Sequence, residues 1–207
     1  DEIALVLLGG VNFYTGQAFD MEAITDRAQN CGCRVGFDLA HSAGNLKMNL
    51  HDWGVDFAAW CGYKYLNGGP GAPSSIFIHE RHLGKIDIPR FEGWWGHDKS
   101  TRFKMPEQFI PLKTAEAWQL SNPPILSMAA LLASLEIFNE VGMDKLREKS
   151  KKLTSYLESI LCSELGSHIE IITPNSNQSR GCQLSLRLHQ PFENITGTLH
   201  EHGVISD

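Results

Sequence analysis

Four short apolar runs stand out in the first eighty positions: residues 3–8 (Ile3-Ala4-Leu5-Val6-Leu7-Leu8), Val35-Gly36-Phe37 with Asp38, Phe57-Ala58-Ala59-Trp60-Cys61, and Ser75-Ile76-Phe77-Ile78. Runs of this length that are continuous rather than alternating predict strands buried on both faces, the kind found in parallel sheets. Between the first two, Met21, Ile24, Ala28 and Cys31 recur at spacings of three and four and predict a helix, capped by Asp20 and ended by Gly32. Strand, helix, strand implies a right-handed parallel crossover.

The stretch from 84 to 122 is aromatic and proline-bearing, with Trp94-Trp95-Gly96-His97 and Ser121-Asn122-Pro123-Pro124, and shows little periodicity. Long irregular stretches of this kind are often functional. Two helices are expected after it. Ile125 to Val141 is apolar on most sides, which predicts burial; the next is amphipathic, with Leu146, Leu153, Tyr156, Leu157, Ile160 and Leu161 facing inward. Beyond Gly166, Ile169-Glu170-Ile171-Ile172 and Cys182 to Leu188 alternate like strands of a sheet with one wet face. The expected organisation is residues 1–125 as part of a large sheet domain, 126–165 as connecting helices, and 166–207 as an incomplete smaller α+β domain.

At 207 residues and 42% apolar content the chain can bury a sizeable core. Its net charge of −6 and the lack of a long Lys/Arg run argue against nucleic acid as a partner. No apolar segment approaches the roughly 20 residues of a membrane span, and there is no signal-peptide pattern at the start. Five cysteines, an odd number in apolar surroundings, suit a reducing compartment, so a cytoplasmic location is expected. Cys31-Gly32-Cys33 alone is a poor zinc signal, and no metal site is expected. The chain opens on a strand run without an initiator methionine and stops as another strand begins, which is expected of a fragment lacking both ends.

In open parallel sheets ligands bind beyond the carboxyl ends of the strands. The second run delivers Asp38 and then His41 there. The third delivers Tyr63 and Lys64, followed by the glycine-rich turn of Gly68, Gly69 and Gly71. A lysine amine kept uncharged by its surroundings can hold pyridoxal phosphate as a Schiff base. A buried carboxylate beside the ring nitrogen would keep that nitrogen protonated, and Asp38 fits the role. Tyr63 could donate its hydroxyl to the phosphate. Each residue alone has a plainer reading: an Asp ending a strand is commonly a turn former, and a Lys before Gly is commonly solvated. Their pairing at adjacent strand ends favours the cofactor. His79 and His82 are expected at the surface, and His200 and His202 receive no role.

Several runs, in this order, closely resemble the kynureninase family: Val11-Asn12-Phe13-Tyr14-Thr15-Gly16-Gln17, Gly36-Phe37-Asp38-Leu39-Ala40-His41, Leu50 to Ala58, Tyr63-Lys64-Tyr65-Leu66-Asn67, Gly93-Trp94-Trp95-Gly96-His97, Ser121 to Leu126, Ala133 to Phe138 and Arg180-Gly181-Cys182-Gln183-Leu184. The resemblance implies a fold-type I α/β enzyme dependent on pyridoxal 5'-phosphate. It further implies a homodimer that hydrolyses L-kynurenine or 3-hydroxykynurenine to anthranilate or 3-hydroxyanthranilate and alanine, in tryptophan catabolism and NAD biosynthesis. By that resemblance Lys64 is the Schiff-base lysine, Asp38 partners the pyridine nitrogen, His41 lies beside the cofactor, and Tyr63 meets the phosphate and takes part in proton transfer. Trp94 and Asn122 would line the pocket, some of these residues reaching it from the neighbouring subunit. Gly9 stands where many relatives carry serine, and further cofactor and substrate contacts of the family fall outside residues 1–207.

Two rival readings share the scaffold. A cysteine desulfurase needs a mobile nucleophilic cysteine, whereas Cys162 falls inside a helix and Cys182 at the expected start of a strand. A non-catalytic module has little need for a desolvated lysine with Asp38, His41 and Tyr63 around it.

Overall fold

The computed structural model describes residues 2–206. A four-stranded sheet carries β1 (Leu5–Gly9), β2 (Arg34–Asp38), β3 (Phe57–Trp60) and β4 (Ser75–Ile78) in that spatial order. The first three strands are parallel and β4 is antiparallel. α1 (Met21–Asn30) links β1 to β2; Asp20 accepts the Ala23 N–H at 3.0 Å, and Gly32, at φ +81°, follows the helix end. Met21, Ala28, Cys33, Val35, Phe37, Leu39, Val55 and Ala58 form the core between α1 and the sheet. Phe57 packs directly over Gly36, where a Cβ would fall 2.3 Å from the ring.

After β4, residues 79–124 form a chain of short 3₁₀ turns. α2 (Ile125–Val141) and α3 (Met143–Leu165) then meet at a bend of 88° about Gly142, which holds φ +80°. A two-stranded antiparallel sheet, β5 (Ile169–Ile171) and β6 (Leu186–Leu188), and α4 (Ile195–Glu201) complete the described residues. No single helix among them is long and apolar enough to cross a membrane.

Several sequence expectations change. β1 is an edge strand, with Leu5, Leu7 and Leu8 exposed rather than buried. α2 buries only Leu131, because the described residues place little against its other faces. In α3 the packed face is polar: Arg147, Thr154 and Glu158 meet residues 177–182, while Leu153, Tyr156 and Leu157 stay open. The reason is Arg180, which is fully buried and needs the Glu158 carboxylate at 2.5 Å and the Asn177 side-chain oxygen at 3.2–3.3 Å. Cys182, expected to start a strand, precedes β6 by several residues in irregular backbone.

His79 and His82 are buried, not superficial. The His79 ring accepts the Arg81 N–H at 3.2 Å, and the partner of the His82 ring is Asp56, at the N-terminal end of β3 and only 3% exposed. Its Oδ1 accepts from His82 Nε2 at 2.6 Å and from Arg81 Nε and Nη2 at 3.2 and 2.7 Å. Its Oδ2 accepts the Val35 N–H at 2.8 Å, tying β2 to the turn before β3. At 2.6 Å from a carboxylate the His82 Nε2 must carry the proton. Burial alone would raise the Asp56 pKa, but the bonds from Arg81, Val35 and His82 outweigh it and hold the carboxyl at about 2.

Asp56→Ala, which leaves the buried His82 and the half-buried Arg81 without their anion, is expected to cost about 3–5 kcal/mol in urea unfolding. A loss under about 1 kcal/mol would show the cluster to be incidental. Between the folded value of about 2 and the ordinary 3.8 the unfolded chain binds the extra proton, so stability rises with pH across that window. This contribution is complete above about pH 4 and lost as pH falls through 2; Asp56→Asn should flatten that acid limb.

Candidate active site

Gly9, Asp38 and Ala59 stand in one row across the three parallel strands, so the connections after them emerge side by side. The turn after β2 is drawn in tightly: Ser42 and Ala43 N–H both donate to Leu39 O at 2.9 Å, and Asp38 Oδ1 accepts the Ala40 N–H at 2.8 Å. Gly44, at φ +82°, lets the turn pass Tyr65, whose carbonyl oxygen would lie 2.7 Å from a Cβ. After β3 the chain closes on itself, with Gly68 N–H donating to Gly62 O at 2.9 Å and Asn67 N–H to Lys64 O at 3.0 Å. This loop holds Lys64 against the preceding turn.

Asp38, His41 and Lys64 line one cavity of about 450 Å³, with Val11, Phe13 and Phe19 supplying apolar wall. Lys64 Nζ lies 2.9 Å from His41 Nε2. An ammonium can only donate, so Nε2 accepts and the ring proton resides on Nδ1, which is buried and has no acceptor among the described residues. Burial lowers the His41 pKa, as does the charge on Lys64, against a smaller upward pull from Asp38. The imidazole is therefore neutral at pH 7, as an acceptor must be. Asp38 is exposed at the cavity wall instead of being the buried anion expected from sequence. A half-buried amine, a neutral imidazole and a carboxylate around an apolar-walled space can hold a planar, polar-edged ligand and move protons at its rim.

Tyr63 lies outside this lining. It is 54% exposed, its ring centre is 6.0 Å from Lys64 Nζ, and Cys61 beside it raises its hydroxyl pKa. Trp94 is on a 3₁₀ turn (Trp94–Gly96), half exposed, with Trp95 edge-on at 5.5 Å and the Arg102 guanidinium 5.1 Å from its ring. Asn122 is exposed, and neither residue lines the Lys64 cavity. The structure thus groups Asp38, His41 and Lys64, sets Tyr63 at their edge, and places Trp94 and Asn122 elsewhere. Sequence reasoning gave no role to Phe13 or Phe19, although the carboxyl end of β1 was as clear a signal as those of β2 and β3. Asn45, whose Nδ2 donates to the His41 carbonyl and whose Oδ1 accepts the Cys182 N–H, each at 3.0 Å, was also missed. Its partner Cys182 is distant in sequence, and nothing local marks it.

The aminotransferase class-V family profile matches residues 1–205. The chain is 56% identical over 206 residues to a kynureninase of Myxococcus xanthus, covering 100% of this chain and 48% of the relative. It is 54% identical over 210 residues to a kynureninase of Flavobacterium psychrophilum, covering 100% and 49%. The chain spans about half the length of the curated relatives it matches. Among solved structures, the cysteine desulfurase CsdA from Escherichia coli aligns with a TM-score of 0.77 at 18% identity, covering 98% of this chain and 48% of that one. A C-DES mutant with glycine covalently linked to its PLP cofactor aligns at 0.79 and 22% identity, covering 98% and 52%. At these identities the two structures share the fold alone, which the four-stranded sheet and its level strand ends display. By profile and by fold, the chain belongs to the aminotransferase class-V family.

Proposed function

We propose that the chain is the lysine-bearing half of a pyridoxal 5'-phosphate-dependent kynureninase. The enzyme cleaves L-kynurenine or 3-hydroxykynurenine to anthranilate or 3-hydroxyanthranilate and L-alanine. The observation that carries this reading is an identity of 50–57% with relatives named kynureninase, extending over 90–100% of the chain. The cysteine desulfurase CsdA aligns at only 18%.

The residues at the cavity fit the cofactor. An apolar wall suits its ring, and the buried His41 Nδ1–H is a donor in want of an acceptor, a position that costs about 1–3 kcal/mol when left unmade. Bound there, pyridoxal phosphate supplies an electrophilic aldehyde and a protonated ring that takes up negative charge from the substrate's α-carbon. With that group bound, the Lys64 amine would hold it covalently and would carry the substrate's α-proton. His41 keeps that amine in place through the 2.9 Å contact. Asp38 favours the protonated ring nitrogen by its charge. Tyr63, next to Lys64 in sequence, handles the protons as water adds to the γ-carbonyl and the β,γ-bond breaks. Trp94 and Asn122, remote from this cavity, serve that of a second copy in a homodimer, a reading supported by the exposure of both residues. Five free cysteines support a reducing, cytoplasmic setting.

In the full-length protein, Lys64→Ala should abolish both the long-wavelength absorbance of the lysine-bound cofactor and anthranilate release; retention of both would refute the lysine assignment. Asp38→Asn should keep the cofactor while lowering turnover by on the order of 10²–10³. Supplying kynurenine and cysteine in parallel, and measuring anthranilate against sulfide, decides the substrate: sulfide without anthranilate would replace the kynureninase reading by a desulfurase.

A further inference from the structure

We infer that Asn45 is a positioning residue that sets the contact between His41 and Lys64 from the far end of the chain, by tying the turn that carries His41 to the backbone at Cys182. The inference rests on the proposed function only in taking Lys64 as the reactive amine.

Asn45 is 5% exposed and both ends of its amide are used. Nδ2 donates to the His41 carbonyl at 3.0 Å, and Oδ1 accepts the Cys182 N–H at 3.0 Å. A carbonyl can be met only by the NH₂ and an N–H only by the oxygen, so these two partners fix which way the amide faces. No other uncharged side chain of this size offers a donor and an acceptor in that fork. The space is fitted to it: a Cβ on Gly181 would fall 2.2 Å from Asn45 Nδ2.

Each side of this strut is firm. Beyond Cys182, Arg147 Nη2 donates to Asn177 O at 2.8 Å, and the fully buried Arg180 is paired with Glu158. Ala18 N–H also donates to Ser179 O at 2.9 Å. On the site side, the turn is pressed against Tyr65, whose ring stands edge-on to His41 at 6.1 Å. Freeing the His41 carbonyl from Asn45 leaves one wall of this vice missing, and the imidazole can then retreat from the Lys64 amine and from its buried setting. The charged groups acting on His41 are Lys64 and Asp38, and burial is the largest influence on it. A looser turn therefore raises its titration midpoint toward the ordinary 6.5.

The test is imidazole NMR on the full-length protein without added cofactor, with His41 assigned by its loss in His41→Gln. Asn45→Ala removes the strut, and Gly181→Ala displaces it from a position remote in sequence. Each should raise the His41 midpoint toward 6.5, a shift resolved against the unaltered protein in the same titration. Thr25→Ala, which deletes a buried hydroxyl bonded to Met21 O in α1, should lower the melting temperature and leave His41 unmoved. If Asn45→Ala does not fold, Gly181→Ala decides. A folded Asn45 or Gly181 variant with an unchanged midpoint, or an equal shift in Thr25→Ala, overturns the inference. Because the readout needs neither cofactor nor turnover, absence of kynurenine cleavage in the unaltered protein would sink the proposed function and leave this result readable.

Discussion

Three parallel strands that end level are the constraint on which the site depends. Parallel pairing sets Gly9 beside Asp38 and Asp38 beside Ala59, so the chain leaves the sheet at three neighbouring points and must turn within the same small volume. Asp38 is then necessarily at the rim, and the residues a few positions on, His41 after β2 and Lys64 after β3, are brought to 2.9 Å although 23 residues apart. A shift of one residue in either ladder would point Asp38 to the opposite face of the sheet. The register is guarded by close contacts that tolerate no such shift: Phe57 fills the space over Gly36, and Asp56 bonds Val35 N–H directly.

The two ends of the sheet are built to opposite purposes. At the end where β3 begins, a carboxylate at 3% exposure is surrounded by donors from Val35, Arg81 and His82 and by Gln29, so its charge is answered from several sides. At the end where β2 and β3 finish, polar groups are left unanswered: His41 Nδ1 and Ser42 Oγ are buried without a partner among the described residues. Unmade buried hydrogen bonds oppose folding, and the closed cluster at the other end offsets that loss within the same sheet. Two further buried atoms without a partner among the described residues, Arg90 Nη1 and Arg102 Nε, lie in the 79–124 stretch, so the strand-end rule is what singles out the site.

What could be read from sequence follows from the range of the interactions. Lys64 and Asp38 were legible because strand ends are local: a short apolar run, a polar residue, a glycine-rich turn. The caps of α1, Asp20 and Gly32, were legible for the same reason. His82 was misread as superficial because its partner, Asp56, is 26 residues earlier, and no periodicity reports that pairing. α2 was misread as buried because composition records what a helix is suited to pack against. In a chain spanning about half the length of its relatives only Leu131 finds cover. In α3, leucines suggested the inward face, yet a buried arginine brought Glu158 and Thr154 inward instead; one buried charge outweighs a stripe of leucines, since leaving it unpaired costs several kcal/mol.

That same arginine joins the C-terminal segment to the site. Arg180 cannot be buried without Glu158 on α3, and with that pair made, Gly181 and Cys182 are placed against Asn45 with no room to drift. The C-terminal segment is therefore positioned by an ion pair and meets Asn45, in the turn that holds His41, through the Cys182 backbone N–H. Backbone is a suitable messenger here because its direction is fixed by the peptide plane and it has no rotamers to lose. The His41 turn that meets the Lys64 amine is thus tied to side chains that never approach that amine, through a sequence of short, directional and partly buried contacts.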